Sequence, residues 1–377
     1  MALLTRTDPA DTPELLRRLR AALDGSGPAL GFGIPDPAAL PDAVALPDVP
    51  DGTAVVVTTS GSTGYPKSVV LSAAALHASA RASADRIGAG TWVLALAPGY
   101  VAGVQVLVRG ILAGTAPTVV TGPFDPLAFA RAAAETPGPR YASLVPAQLV
   151  RLLDAAGDPE VAAALRGFET LLIGGQALPT AVRERALAAG ARIVRTYGSS
   201  ETSGGCVYDG VPLDGVRVRI AADEVLVAGP VLATGYLGEP ERTAAAFPVL
   251  DGERWYRTGD TGTFADGMLR IAGRLDNVIV SGGVNVSLDR VESIVRTLPG
   301  LAEAVVVGVP DARWGEAAVV AVPADAAAPA WEEIRAAVAA ELGAPARPAR
   351  LVVLDALPHL PSGKPDRAAI RRLAAQN

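Results

Sequence analysis

Residues 53–71 read Thr53-Ala-Val-Val-Val-Thr-Thr-Ser-Gly-Ser-Thr-Gly-Tyr-Pro-Lys67-Ser-Val-Val-Leu71. Three β-branched residues, Val55, Val56 and Val57, predict a buried strand. It runs into small and hydroxylated residues, Thr58 to Gly64, and then a lysine. Glycines let a backbone approach a bulky anion, hydroxyls add donors, and Lys67 brings a mobile ammonium. The stretch reads as a phosphate cradle. It differs from the P-loop, because aligning Gly61 and Lys67 on G-x-x-x-x-G-K-[ST] sets Pro66 where the last glycine belongs. The bland alternative is a flexible Ser/Gly loop; a strand leading straight in and a lysine closing it count against that. Thr59, Ser60, Gly61, Ser62, Thr63, Gly64 and Lys67 are the phosphate-binding candidates.

The chain has 377 residues, half of them hydrophobic, which suits two domains with a sizeable core and argues against disorder. A net charge of −6 argues against a generic binder of nucleic acid or membrane surfaces. The single cysteine, Cys206, excludes an internal disulfide framework and fits a reducing cytoplasm. With only His77 and His359 available, a Cys-His nucleophile has little to draw on, and Cys206 reads as a small filler. Asp8, Asp11, Glu14 and four arginines by residue 20 do not make a signal peptide. The apolar region 91–114 is interrupted by Pro98, Gly99, Gly103, Gln105 and Arg109, so no membrane span is expected. Of 33 basic residues only Lys67 and Lys364 are lysine. Both sit in glycine-containing motifs, where a compact ammonium on a flexible stem is not interchangeable with a planar guanidinium.

Along the chain, residues 13–23 predict a short helix capped by Thr12, followed by a proline-rich surface wrap to residue 52. From 53 to 197 strand and helix patterns alternate. Strands are expected at 92–96, 118–121, 140–144, 170–173 and 192–195, and helices at 72–86, 125–135, 146–155 and 180–189. Ser72 caps the first of these helices, whose N-terminal dipole would favour a nearby anion. This predicts an α/β fold with a mainly parallel sheet covered by helices and ligands beyond the strands' carboxyl ends. Gly174-Gly-Gln176 and Thr196-Tyr-Gly-Ser-Ser-Glu-Thr202 are the polar loops expected there. Residues 206–281 change to short β-rich runs, with a weak helix at 239–246. They contain Tyr256-Arg-Thr-Gly-Asp260, where a carboxylate after a turn glycine can accept two ribose hydroxyls; an ordinary Asx-turn aspartate is the alternative. Residues 282–377 read as a small α+β unit ending in a loop, Leu357-Pro-His-Leu-Pro-Ser-Gly-Lys-Pro-Asp-Arg367, that presents Lys364.

In this order the stretches resemble the adenylate-forming superfamily of acyl-CoA synthetases, peptide-synthetase adenylation domains and luciferases. The motifs that carry the likeness are 58–67, Tyr197-Gly-Ser-Ser-Glu201, Tyr256–Asp260, Gly273-Arg-Leu-Asp276 with Ser281-Gly-Gly-Val-Asn285, and Pro361-Ser-Gly-Lys364. The likeness covers the chain from about residue 50 onward, with a reduced N-terminal subdomain. Residues 204–216 and 100–109 are similar to those of short actinobacterial 2-succinylbenzoate–CoA ligases of menaquinone synthesis. Ser68 stands where most members carry glycine, and Tyr100–Val101 where many have a histidine.

The resemblance implies a large N-terminal AMP-binding domain, 1–275, and a small mobile α+β C-terminal domain, 276–377, with Asp276 as hinge. It implies a ligase that uses ATP, Mg2+ and CoA. A carboxylic acid, most like 2-succinylbenzoate, attacks the α-phosphate, and the acyl-adenylate passes to CoA; a carrier protein or an amine is the alternative acceptor. Neither nucleic acid nor stable membrane insertion is implied, and a homodimer is left open. Residue by residue, the resemblance puts 59–67 on the β- and γ-phosphates and Gly174, Gly175, Gln176, Thr196, Tyr197 and Gly198 around adenine. It puts Ser200 at the α-phosphate, Glu201 on Mg2+, and Asp260 and Arg274 on the ribose. Gly282 and Gly283 would flank a CoA tunnel, and Lys364 would bridge the attacking carboxylate and the α-phosphate. Arg109 could draw a second carboxylate of the acid or be a solvated helix end.

Overall fold

A computed structural model describes residues 3–8, 11–34, 48–60, 66–360 and 364–376. Its α/β architecture contains four sheets. The first runs Leu4–Arg6, Ala29–Phe32, Thr53–Ser60, Pro66–Ser72 and Gly235–Tyr236. Its first three strands are parallel, and the last two pair antiparallel. The second has seven strands. Five parallel ones (Ile193–Ser199, Thr170–Ile173, Arg140–Leu144, Thr91–Leu94 and Thr118–Val119) are extended by antiparallel Gly204–Tyr208 and Val211–Pro212.

Strand alternation explains how the second sheet is covered on both faces. Trp92, Leu94, Tyr141 and Leu172 join one core with Val55, Val57, Val69 and Leu71 of the first sheet. Their neighbours Val93, Ala142, Leu171 and Ile173 face a second core under the helices Pro126–Glu135, Pro146–Asp154 and Pro159–Gly167. The third sheet is antiparallel and centres on Glu224–Ala228 and Glu253–Ala265. In the fourth, Val305–Asp311 and Gly315–Pro323 again send alternate residues to two cores, one under Leu288–Val295 and Trp331–Leu342, the other under Arg367–Gln376.

Several expectations change. The strand ending at Ser60 and the strand Pro66–Ser72 pair antiparallel, so a second strand, not a helix, follows the cradle segment. Ser72 does cap the helix Ala73–Ile87, accepting from the Ala75 N–H at 3.1 Å. That helix begins opposite Thr53, a strand's length from Lys67, or about 20 Å at ~3.3 Å per residue. Its dipole therefore does not serve the cradle. Asp11, not Thr12, caps the first helix, Thr12–Asp24, accepting from the Glu14 N–H at 3.1 Å. Within the proline-rich stretch, Ala29–Phe32 is a fully buried strand, while residues 35–47 lie outside the description. Val101–Leu112, left without a structure in the sequence reading, is a largely buried helix. Among the described residues no helix is long and apolar enough to cross a membrane.

Candidate active site

Register decides what surrounds Lys67. Thr59 lies opposite Lys67 and Val57 opposite Val69. On the other side of the strand Tyr236 lies opposite Val69. Residues two apart along a strand share a face, as do residues directly opposite. Lys67, Val69, Thr59 and Tyr236 are thus on one face. The Lys67 ammonium forms an ion pair with Glu201 Oε1 and donates to the Tyr236 hydroxyl at 3.3 Å. Tyr236 donates to the same Glu201 oxygen at 3.0 Å. Gly61, Ser62, Thr63 and Gly64 lie outside the described residues, as does the side chain of Ser60.

Glu201 is fixed by the chain around it. The strand Ile193–Ser199 ends in one 3-10 turn, Ser200–Thr202, closed by Ser203 at φ 53°. Thr202 Oγ1 accepts from the Ser199 N–H at 2.8 Å and donates to the Gly204 carbonyl at 2.8 Å. Burial opposes the charge of Glu201, but Lys67, with smaller help from the local backbone and Ser199, holds the carboxyl below its usual range. A buried carboxylate carrying a cation suits Mg2+, which takes one or two carboxylates and fills its remaining positions with phosphate oxygens and water. Among the described residues no cluster of three or more His, Cys, Asp or Glu could hold a metal without such help. Ser200 is buried at the start of the same turn.

Gly174, Gly175 and Gln176 leave the carboxyl end of the parallel strand Thr170–Ile173, as expected. A Cβ on Gly174 would meet Thr196 Oγ1 at 2.3 Å, so a side chain there would have to displace the Thr196 hydroxyl. Thr196, Tyr197 and Gly198 are not a loop but the end of a long strand, paired antiparallel with Gly204–Tyr208 across a bulge. Gly198 is dictated there: a Cβ would stand 2.1 Å from the Gly204 carbonyl oxygen.

Asp260 is not a simple turn residue. Tyr197 donates to its Oδ2 at 2.6 Å and Arg274 to its Oδ1 at 3.0 Å. Arg274 also grips both oxygens of Asp276, at 2.9 and 3.0 Å, and the Thr258 carbonyl at 2.9 Å. Burial of Asp260 raises its pKa, and Tyr197 and Arg274 only partly offset that. The sequence's turn is a bulge within the strand Glu253–Ala265, and Glu224, which the sequence did not single out, ties it down by accepting from Arg257 Nε at 2.8 Å and the Gly259 N–H at 3.0 Å. Lys67, Tyr236, Thr258, Gly259 and Arg274 border one cleft of about 290 Å³.

Lys364 comes to this group from the fourth sheet's side. Its hairpin is closed by the Leu360 N–H on the Lys364 carbonyl, 2.8 Å, and the Asp366 N–H on the Pro358 carbonyl, 2.9 Å. Arg367 anchors the base of that hairpin, donating to Glu292 Oε1 and the Val306 carbonyl, each at 2.9 Å. A Cβ on Gly175 would lie 3.8 Å from Lys364 Cε, so the lysine stem crosses the Gly174–Gln176 loop. Lys364 still presents surface to solvent. Protein crowds its ammonium enough to draw the pKa below the ordinary lysine value, while Asp260 and Glu201 pull it up and Arg274 adds to the lowering. Both lysines of the chain thus answer to Glu201.

Two further candidate positions have their own geometry. Gly282 and Gly283 form a two-residue hairpin turn with φ 58° and 82°, the left-handed pair such turns demand, and Gly282 packs on Trp314. Arg109 is no solvated helix end: it is 7% exposed, lies 4.8 Å from the Trp92 ring centroid and donates to the Tyr208 hydroxyl at 3.3 Å. Its Nε has no hydrogen-bond partner, and no ion pair to it occurs among the described residues.

Comparison with known proteins adds an independent line. Residues 7–237 match the family model described as AMP-binding enzyme, and residues 290–364 that described as AMP-binding enzyme C-terminal domain. The chain is 42% identical, over 381 aligned residues, to a probable 2-succinylbenzoate–CoA ligase of Mycobacterium tuberculosis, covering 97% of this chain and 96% of that one. Its fold is similar to that of the o-succinylbenzoate CoA synthetase of Bacillus subtilis in complex with its acyl-adenylate intermediate, with TM-score 0.74 at 24% identity over 98% of this chain and 83% of that one. It is also similar to the amide bond synthetase McbA of Marinactinospora thermotolerans, with TM-score 0.72 at 29% identity over 99% and 80%.

Proposed function

The chain belongs to the AMP-binding enzyme family, and we propose that it is an ATP-dependent carboxylate–CoA ligase whose acid is 2-succinylbenzoate. The observation that carries the chemistry is that, of the sequence's two lysines, Lys67 pairs with Glu201 while Lys364 lies against Gly175 within reach of the charges of Asp260, Glu201 and Arg274. A carboxylate oxygen attacks the α-phosphorus of ATP, the bond to pyrophosphate breaks, and an acyl-adenylate forms. The CoA thiolate then attacks the acyl carbon and AMP leaves. Neither step needs a protein nucleophile, so the protein's work is positioning and neutralising charge.

Lys67 turns from Glu201 to the outer phosphates, and Ser200 donates to the α-phosphate. Asp260 has one lone pair left on each oxygen after Tyr197 and Arg274, enough for the two ribose hydroxyls. Gly174–Gln176 and Thr196–Gly198 flank the adenine. Glu201 holds Mg2+, which neutralises phosphate charge when bound. Lys364 stabilises the charge shared by the entering carboxylate and the α-phosphate. The unit 276–377 then turns at Asp276 relative to 1–275, bringing Gly282–Gly283 toward the CoA path. Cytoplasmic residence follows the single-cysteine reading of the sequence.

Two observations support the acid. The Mycobacterium tuberculosis relative spans nearly the whole chain, and Arg109 is a buried cation without an acidic partner among the described residues. Buried charges are ordinarily paired, and a dicarboxylate would supply the missing partner. The similarity to an amide bond synthetase favours a second acceptor reading, in which an amine replaces CoA. ATP–pyrophosphate exchange over aromatic, dicarboxylic and fatty acids, followed by detection of thioester or amide, tests both. Exchange with 2-succinylbenzoate and a CoA thioester is expected; an amide product without thioester selects the second reading, and absence of exchange with every acid overturns both.

A further inference from the structure

We propose that Tyr236 is a positioning residue for MgATP: its hydroxyl holds Glu201 aimed at the cleft while Lys67 leaves that carboxylate for the phosphates. This rests on the ligase reading above. Lys67 and Tyr236 are brought together by the sheet, since the two-residue strand Gly235–Tyr236 pairs with the strand Pro66–Ser72 that carries Lys67. The neighbouring contacts are the Thr234 N–H on the Val70 carbonyl, 2.9 Å, and the Leu237 N–H on the Ser68 carbonyl, 2.8 Å.

The ring is clamped on several sides. A Cβ on Gly235 would meet Thr243 Cγ2 at 2.4 Å, so the strand runs hard against the helix Pro240–Ala246. The Tyr236 N–H donates to Thr243 Oγ1 at 2.9 Å, the Arg242 guanidinium lies 5.2 Å over the ring, and Phe247 packs at 5.9 Å between centroids. The Lys67 ammonium is 5.0 Å from the ring centroid, an aromatic face on which a cation can rest.

Glu201 is 2% exposed, and its two partners play unequal parts. Lys67 must depart when phosphates arrive, whereas the hydroxyl of a clamped ring need not. With Tyr236 still donating to Oε1, Glu201 keeps its orientation, and its remaining lone pairs face a cation. Without the hydroxyl, Glu201 would lose the donor that stays in place when Lys67 leaves, so phosphate binding would compete with metal binding instead of accompanying it.

The test is Tyr236→Phe, which keeps the ring, its packing and the cation–π contact. Mn2+ serves as the probe in titrations of the full chain with ATP, bound metal being read by electron paramagnetic resonance, with AMP binding in metal-free buffer measured alongside. Expected are a loss of Mn-ATP affinity on the order of tenfold, the size of one hydrogen bond to a charged group, unchanged AMP affinity and an unchanged melting temperature. Unaltered Mn-ATP affinity would overturn the proposal, and so would AMP and Mn-ATP weakening in parallel, which marks a merely structural role. Adding Glu201→Gln should abolish the effect of Tyr236→Phe; persistence of the full effect in that background also overturns it. A parent protein that binds Mn-ATP but exchanges no pyrophosphate would remove the ligase reading and leave the Tyr236 measurement to stand or fall separately.

Discussion

Replacing Asp260 by Asn should separate folding from function. Burial raises the pKa of Asp260 in the fold, despite Tyr197 and Arg274. A group whose folded pKa is raised stabilises the fold below its unfolded pKa and loses that contribution as pH rises through the folded value. At neutral pH the ionised carboxylate is therefore a net burden on the fold, and Asn, nearly isosteric and uncharged, removes it. Arg274 is not stranded by the change, because it keeps both oxygens of Asp276 and the Thr258 carbonyl. Stability at pH 7 should stay within about 1 kcal/mol of the parent or rise, and the difference should shrink as pH falls toward 4. Nucleotide binding should behave in the opposite way. Two ribose hydroxyls lose an anionic acceptor, and hydrogen bonds to charged groups are worth roughly 1.5–3 kcal/mol each. With partial compensation by the amide oxygen, the KM for ATP should rise about 10- to 100-fold. Thermal unfolding across pH 4–8 and ATP–pyrophosphate exchange at varied ATP measure the two halves. An Asn variant that unfolds more than 2 kcal/mol more easily, with ATP KM unchanged, would refute the reasoning.

Arg109→Leu should raise the KM for 2-succinylbenzoate by roughly one to two decades while leaving the KM for ATP alone; its melting temperature should hold or rise, since a buried unpaired charge is replaced by an apolar side chain. Gly198→Ala should lower stability by about 1–3 kcal/mol in denaturant titrations, because its methyl collides with a backbone carbonyl rather than a yielding side chain. Arg367→Met should cost about 1–2 kcal/mol, less than the roughly 3–5 kcal/mol of a fully severed buried pair, because Arg296 remains on Glu292 at 2.9 Å. It should also slow pyrophosphate exchange with ATP KM preserved, since it loosens the hairpin that carries Lys364.

The chain's chemistry was more legible in its sequence than its topology. Val55–Val57, the cradle, Asp260 and Lys364 announce themselves locally: β-branched runs, glycine clusters and rare lysines need no knowledge of distant partners. The hairpin did not. Pro66 begins its second strand, where proline is tolerated, and the few apolar residues before Ser72 merge with the helix that follows. The helix Val101–Leu112 is buried nearly all round, so its sequence carries no polar stripe to mark a 3.6-residue period. Thr196–Gly198 looked like a loop because glycine and hydroxyl residues signal turns; the strand continues there because Gly198 alone admits the backbone of Gly204. Lys67 and Glu201 meet across 134 residues, and Glu224 and Tyr236 matter only through partners that folding brings.

The central claim, that Lys364 acts in adenylation rather than in thioester formation, is tested most directly by running the two half-reactions separately on Lys364→Ala. Removing one preorganised donor should cost about 3–4 kcal/mol, or ~10²–10³ in rate. Pyrophosphate exchange should fall by that factor, while conversion of supplied 2-succinylbenzoyl-adenylate and CoA to the thioester proceeds at nearly the parent rate. Normal pyrophosphate exchange by the variant would contradict the account.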